Sequence, residues 1–340
     1  MTASDLLFVV AGLVLLIVGG ELLVRGAVSM AERFGMSPLL IGITLVGFGT
    51  SMPELVTSVQ ASLIGAPGIA IGNIVGSNIA NILLILGVSA LLAPIAISDG
   101  TVRRDGQIMF ASAFVFFLFG FALPLDRLVG AVFIAGLVGY LYYAYRQETA
   151  GVSSHTAAFE KSEAHDELFV SGTGPSSAQM PAASVQASPG LAAAYFPLVG
   201  AIAGLVIIVA GGKLLVDGAT GIARHAGVSE AVIGLTVVAI GTSLPELVTS
   251  VIAALRRHGD VALGNVIGSN IYNILGIGGV TAIVAPTSIP PEIVRFDNPV
   301  MIAVSVFLLA LIWRGLTISR LQGGALVACY ALYLFSLWPH

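Results

Sequence analysis

Charge is scarce in this sequence. Only 14 Lys+Arg and 18 Asp+Glu occur in 340 residues, 9% of the chain, where a soluble protein carries about 25%. That is too little to cover the surface of a soluble fold this size, and it excludes a water-soluble enzyme. Cysteine is nearly absent: Cys329 stands alone, which rules out an internal disulfide or a cysteine-held metal cluster. The formal net charge of −4 offers no basic field for nucleic acid. No basic segment with a small-residue cleavage site accompanies the first apolar run, so it reads as a retained span, not a signal peptide. Neither a phosphate-binding P-loop nor an H-E-x-x-H pair occurs, and no cofactor is expected. What is abundant is apolar: 57% of residues, with a mean hydropathy of +1.00. The chain reads as an all-α integral membrane protein.

A bilayer core takes ~20 apolar residues per helix. Ten candidate spans follow, near 5–30, 37–64, 68–95, 107–124, 127–146, 193–220, 229–256, 260–286, 298–313 and 321–337. Between the fifth and sixth, residues 147–192 are rich in Ser, Ala and Gly and lack periodicity, which predicts a disordered linker. Its charged residues, Glu160, Glu163, His165, Asp166 and Glu167, read as a solvated run. Ten basic residues, among them Arg25, Arg33, Arg103, Arg104, Arg314 and Arg320, fall on one set of loops and span ends. Arg127, Arg224 and Arg295 fall on the other. Basic residues favour the cytoplasm, so both termini are expected outside a cell (inner or plasma) membrane, with the linker cytoplasmic.

The two halves repeat at a constant offset of 192. Gly49-Thr50-Ser51-Met52-Pro53-Glu54 aligns with Gly241-Thr242-Ser243-Leu244-Pro245-Glu246, and Gly72-Asn73 through Ser77-Asn78 with Gly264-Asn265 through Ser269-Asn270. Residues 49–88 and 241–280 share 25 identities in 40 gapless positions. This predicts a five-helix repeat over 1–146, the linker 147–192, and a second five-helix repeat over 193–340. Five is odd, so the second repeat enters the membrane from the opposite side. Inverted repeats of this kind are typical of secondary transporters whose site lies near the bilayer midplane.

The repeated residues carry the chemistry. Glu54 and Glu246 lie mid-span, where a carboxylate costs at least ~2.5 kcal/mol and marks function by default. Pro53 and Pro245 break the helical hydrogen-bond ladder one turn back, so spans 2 and 7 are expected to be broken there. The freed carbonyls must meet protein, water or an ion. With the neighbouring Thr and Ser hydroxyls they form an oxygen set suited to hard cations such as Ca²⁺ and Na⁺. Ser51-x-x-Glu54 and Ser243-x-x-Glu246 also fit capping boxes that would start the second half-helix. In spans 3 and 8, Asn73, Ser77 and Asn81 recur at i, i+4, i+8, as do Asn265, Ser269 and Asn273. Ser77, Asn81, Ser269 and Asn273 read as cation ligands facing the glutamates, and Asn73 and Asn265 as supports for freed backbone. The Gly72-x-x-x-Gly76 and Gly264-x-x-x-Gly268 pairs read as close helix packing. Glu21 against Lys213 and Arg25 against Asp217 read as structural pairs or snorkelling ends outside the site.

The two G-T-S-x-P-E segments, each followed by G-N-x-x-G-S-N, resemble the paired repeats of the sodium/calcium exchanger family, among the cation/calcium antiporters, over 47–88 and 239–280. The resemblance implies exchange of Na⁺ for Ca²⁺ by alternating access. It implies ions held by Thr50, Ser51, Glu54, Ser77 and Asn81 with Thr242, Ser243, Glu246, Ser269 and Asn273. The linker is too short for the regulatory calcium-binding domains of animal members and resembles prokaryotic ones. The family resemblance implies about three Na⁺ competing for the same oxygens, hence electrogenic Ca²⁺ export, and no obligate protein partner is expected. Some members, including potassium-dependent ones, carry Asp where this chain has Asn273, so K⁺ dependence is not implied. A Ca²⁺/H⁺ antiporter and a cation channel remain the rival readings.

Overall fold

The computed structural model describes residues 3–96, 100–150, 155–169, 191–314 and 317–338. Among these, every extended element is helical, with two isolated antiparallel bridges, Ile95 to Ile318 and Leu125 to Thr287. Eight helices are long and apolar enough to cross a membrane: α1 Ala3–Arg33, α4 Pro67–Leu92, α5 Gly100–Ala122, α6 Arg127–Thr149, α8 Leu191–Ala226, α11 Gly259–Val284, α12 Ile293–Trp313 and α13 Arg320–Leu337. Two bent pairs bring the total to ten. Helix α2 (Leu39–Gly49) meets α3 (Met52–Leu63) at 46°, and α9 (Glu230–Thr242) meets α10 (Leu244–Leu255) at 49°. The elements stand where hydropathy places them.

The remaining helix is a correction. Residues Ala157–Phe169, in the segment expected to be disordered, form a helix, α7, packed against α2, α10 and α11. Glu160, Lys161 and Ser162 are buried on it, and Glu163 is exposed. The charge run is therefore not simply solvated. Its low hydropathy hides a stripe of Ala157, Ala158, Lys161 and Ala164, at spacings that share one helix face, and all four are buried. The start of α7 is anchored: Asp105 accepts a hydrogen bond from Ala157 N (2.5 Å) and Glu148 one from Thr156 N (2.6 Å). The rest of the linker lies outside the described residues.

Helices α1 and α8 pack antiparallel along a seam of glycines seven residues apart. A Cβ on Gly19 would lie 2.7 Å from Ile208 N and one on Gly26 2.6 Å from Ala201 N, while one on Gly218 would lie 2.7 Å from Asp5 O. Such spacing lets the two backbones touch. Glu21 pairs with Arg25 on its own helix and with His165 of α7, and Lys213 and Asp217 are exposed. Helices α4 and α11 form the centre, buried along most of their length. Side chains such as Leu7, Val14, Val206 and Leu332 are exposed on the periphery.

Candidate functional site

Each bent pair is shaped by two local devices. A π-bulge occupies Gly42–Val46 in α2 and Gly234–Val238 in α9, at matching repeat positions. Such bulges mark functional segments of helices. The bend itself falls at Ser51 (φ −92°, ψ 11°) and Ser243 (φ −85°, ψ 10°), with Pro53 and Pro245 in the first turn of the helix that follows. Further π-bulges open at Asn81–Ile85 in α4 and Tyr272–Gly278 in α11.

The two glutamates lie just past the bends, 2% and 3% exposed. Neither Ser51 nor Ser243 caps the following helix through its side chain, so the capping-box reading is not what the structure shows. Ser243 Oγ instead reaches across the repeats, within 3.1 Å of both Glu54 Oε1 and Ser77 Oγ. Asn73 Nδ2 donates to the Glu54 carbonyl (3.1 Å) and to Ser58 Oγ (2.9 Å), and its Oδ1 accepts from Thr242 Oγ1 (3.0 Å). Asn265 repeats the pattern on the Glu246 carbonyl (3.3 Å), Thr249 (2.9 Å) and Ser250 (2.8 Å). Both asparagines therefore steady the backbone that carries a glutamate. At the crossing of α4 and α11, Asn81 Nδ2 donates to Asn270 Oδ1 (2.8 Å), and Asn270 Nδ2 to the Asn78 carbonyl (3.3 Å).

Of the ten residues expected to hold ions, nine are buried and Thr50 is half-buried, donating to Gly47 O at 3.2 Å. Several aim oxygens at nothing. Glu54 Oε2, Glu246 Oε2, Ser51 Oγ, Asn81 Oδ1 and Asn273 Oδ1 are buried without a hydrogen-bond partner. Buried polar atoms are nearly always paired, and unsatisfied ones are costly to keep. Carboxylate, hydroxyl and amide oxygens of this kind are the donors hard cations take.

Two residues of this centre escaped sequence reasoning. Lys161 of α7 is fully buried, its Nζ 2.5 Å from Ser269 Oγ and 3.5 Å from Glu246 Oε1. Burial holds its pKa below the ordinary lysine value, and the carboxylates of Glu246 and Glu54 oppose that shift. Tyr272, aligned with Ala80, donates its hydroxyl to Ile43 O (2.5 Å) and lies under the Lys161 ammonium at 5.9 Å. Unlike residues at matched positions, Tyr272 against Ala80, were the available signal. A lysine within a polar linker gave none.

A polytopic all-helical protein whose two bent helices bring carboxylates to a buried centre has the architecture of a membrane transporter. Comparison with known proteins narrows this. The sodium/calcium exchanger protein family matches residues 4–146 and 196–338. The chain is 38% identical to sodium/calcium exchanger MaX1 of Methanosarcina acetivorans, covering 99% of each. It is 37% identical to the putative antiporter CaxA of Alkalimonas amylolytica, over 98% of each, and 35% identical to the inner membrane protein YrbG of Escherichia coli, over 92% of this chain and 90% of that one. Its fold matches a solved structure of the sodium-calcium exchanger NCX_Mj soaked with Na⁺ and Sr²⁺, at TM-score 0.60, 32% identity and full coverage of both chains. This chain belongs to the sodium/calcium exchanger family. Family and fold are those of multi-pass cation antiporters, with Na⁺ and Ca²⁺ the family's ions.

Proposed function

We propose that the protein is a Na⁺-driven Ca²⁺ exporter in which the two bent pairs alternately expose one central site. The observation that carries this reading is the buried pair Glu54 and Glu246 among orphaned oxygens of Ser51, Asn81 and Asn273. Two carboxylates balance one Ca²⁺. Thr50, Thr242, Ser77, Ser243 and Ser269 complete a set in which Na⁺ ions compete for the same oxygens. About three Na⁺ per Ca²⁺, the ratio the resemblance implies, moves net charge, so flux responds to membrane potential at ~2.3 kcal/mol per charge per 100 mV.

The repeats are read as inverted, with Pro53 and Pro245 maintaining the breaks. Antiparallel packing of α1 on α8 supports this, as do matched bends and the reciprocal bridges Ile95–Ile318 and Leu125–Thr287. A two-fold relation in the membrane plane produces such reciprocity. The basic-residue bias supports external termini and a cytoplasmic linker.

The test is ⁴⁵Ca²⁺ uptake into proteoliposomes with an outward Na⁺ gradient, an outward H⁺ gradient, or neither. Uptake is expected with Na⁺ alone. Uptake driven by H⁺ alone makes the protein a Ca²⁺/H⁺ antiporter, and uptake without any counter-ion gradient makes it a channel.

A further inference from the structure

The two repeats are not in the same state, and the difference is localised. In one half, α9 closes on α4. A Cβ on Gly72 would lie 2.9 Å from Ala231 O, one on Gly76 2.7 Å from Leu235 O, and one on Gly234 2.8 Å from Gly68 O. Repeat equivalence calls for α2 to close on α11 through Gly264, Gly268 and Gly42. Those glycines instead receive α7. A Cβ on Gly264 would collide with Cβ of Glu160, one on Gly268 would lie 3.0 Å from Ala157 O, and one on Gly42 3.0 Å from Ser162 Oγ. The linker helix is wedged where the second half-helix would sit.

The polar contacts show the same replacement. Ser243 Oγ bridges Glu54 Oε1 and Ser77 Oγ, both at 3.1 Å. The equivalent pair, Glu246 Oε1 and Ser269 Oγ, is bridged by Lys161 Nζ at 3.5 and 2.5 Å. Ser51, the residue matched to Ser243, has no hydrogen-bond partner for its hydroxyl. Thr50, matched to Thr242, bonds Gly47 O of its own helix, whereas Thr242 reaches Asn73 on α4. A lysine ammonium is a compact single charge on a flexible stem. Here it lies among the oxygens assigned to the cargo.

We propose that Lys161 is a tethered cation that occupies the ion site from the linker side and competes with transported cations for Glu246 and Ser269. Its departure frees the cleft between α2 and α11, which can then close as α9 has closed on α4. This rests on the ion-site reading above. By linkage, any cation that binds the free site expels the helix, and the docked helix weakens the apparent affinity for cations by the fraction of time it is bound. Docking nine-tenths of the time weakens it about tenfold. The linker thereby sets the affinity at which the exchanger loads from its side of the membrane.

The test is equilibrium ⁴⁵Ca²⁺ binding to the purified full chain in detergent with choline in place of Na⁺, for the parent, Lys161→Met, Gly264→Ala and Glu54→Gln. Methionine keeps most of the length of the side chain and removes the charge. Gly264→Ala keeps Lys161 but evicts α7 from its seat, and it reads the proposal even if Lys161→Met fails to fold. Both are expected to bind Ca²⁺ about tenfold more tightly than the parent, and Glu54→Gln to lose binding. Parental affinity in Lys161→Met and Gly264→Ala, with binding lost in Glu54→Gln, overturns the tethered cation and leaves the ion site standing. Tightening in Gly264→Ala but not in a folded Lys161→Met also overturns it, because the helix would then obstruct without its charge competing. Parental binding in Glu54→Gln defeats the ion-site reading itself.

Discussion

The two glutamates are matched in the sequence but differently engaged in the fold, so neutralising each has a different consequence. Glu54 Oε1 lies 3.1 Å from Ser243 Oγ, and a glutamine oxygen can keep that hydrogen bond. Glu246 instead faces the buried Lys161 ammonium at 3.5 Å. For transport the two changes are equal. One carboxylate at ~4 Å from a unit charge, in a site of effective dielectric ~20, is worth about 4 kcal/mol. A divalent ion feels more, so even the lower figure weakens Ca²⁺ binding about a thousandfold. Glu54→Gln and Glu246→Gln are each expected to abolish Na⁺-driven ⁴⁵Ca²⁺ flux. For stability they differ. Glu246→Gln strips a buried cation of its nearest carboxylate, and because α7 can then leave its seat the cost is limited to about 1.4 kcal/mol for a helix docked nine-tenths of the time. Glu54→Gln strips nothing comparable. In SDS denaturation of the ion-free protein, Glu246→Gln is expected to unfold before Glu54→Gln, and adding Lys161→Met to Glu246→Gln to restore most of the loss. Near-parental flux in either single variant would refute that carboxylate as an ion ligand. Equal stability of the two would refute the Lys161–Glu246 pair.

Ca²⁺ flux is expected to be the same with K⁺ or choline as the balancing cation. Asn273→Asp should slow flux or make it pH-dependent, because a third carboxylate near Glu54 and Glu246 is pushed toward protonation; a pH series on both proteins reads this. Gly19→Val should cost at least 1–3 kcal/mol by forcing α1 off the backbone of α8, a loss visible as an earlier denaturation midpoint. A maleimide on Glu163→Cys in a Cys329→Ser background should label only from the cytoplasmic face of the membrane. Labelling of intact cells by an impermeant reagent reverses the assigned orientation.

Sequence by itself determined the class of this protein and the ingredients of its centre. Low charge and long apolar runs place the helices because a bilayer accepts little else. The 192-residue offset marks Glu54, Glu246 and the Asn-Ser-Asn spacings as a duplicated set, since side chains four residues apart share a helix face whatever surrounds them. The tertiary structure alone decided which members of the set meet. Ser51 and Ser243 read identically, yet one bridges Glu54 and Ser77 while the other is unbonded. That difference is a contact between segments far apart in the chain, and periodicity carries no information about it. Lys161 was illegible for the same reason. Its segment is too polar to register as packed, and it is held by groups far from it in sequence, the glycines of α11 and Asp105 near the start of α5. A duplicated sequence specifies two equivalent halves, and it took the fold to place a charged helix in only one of them.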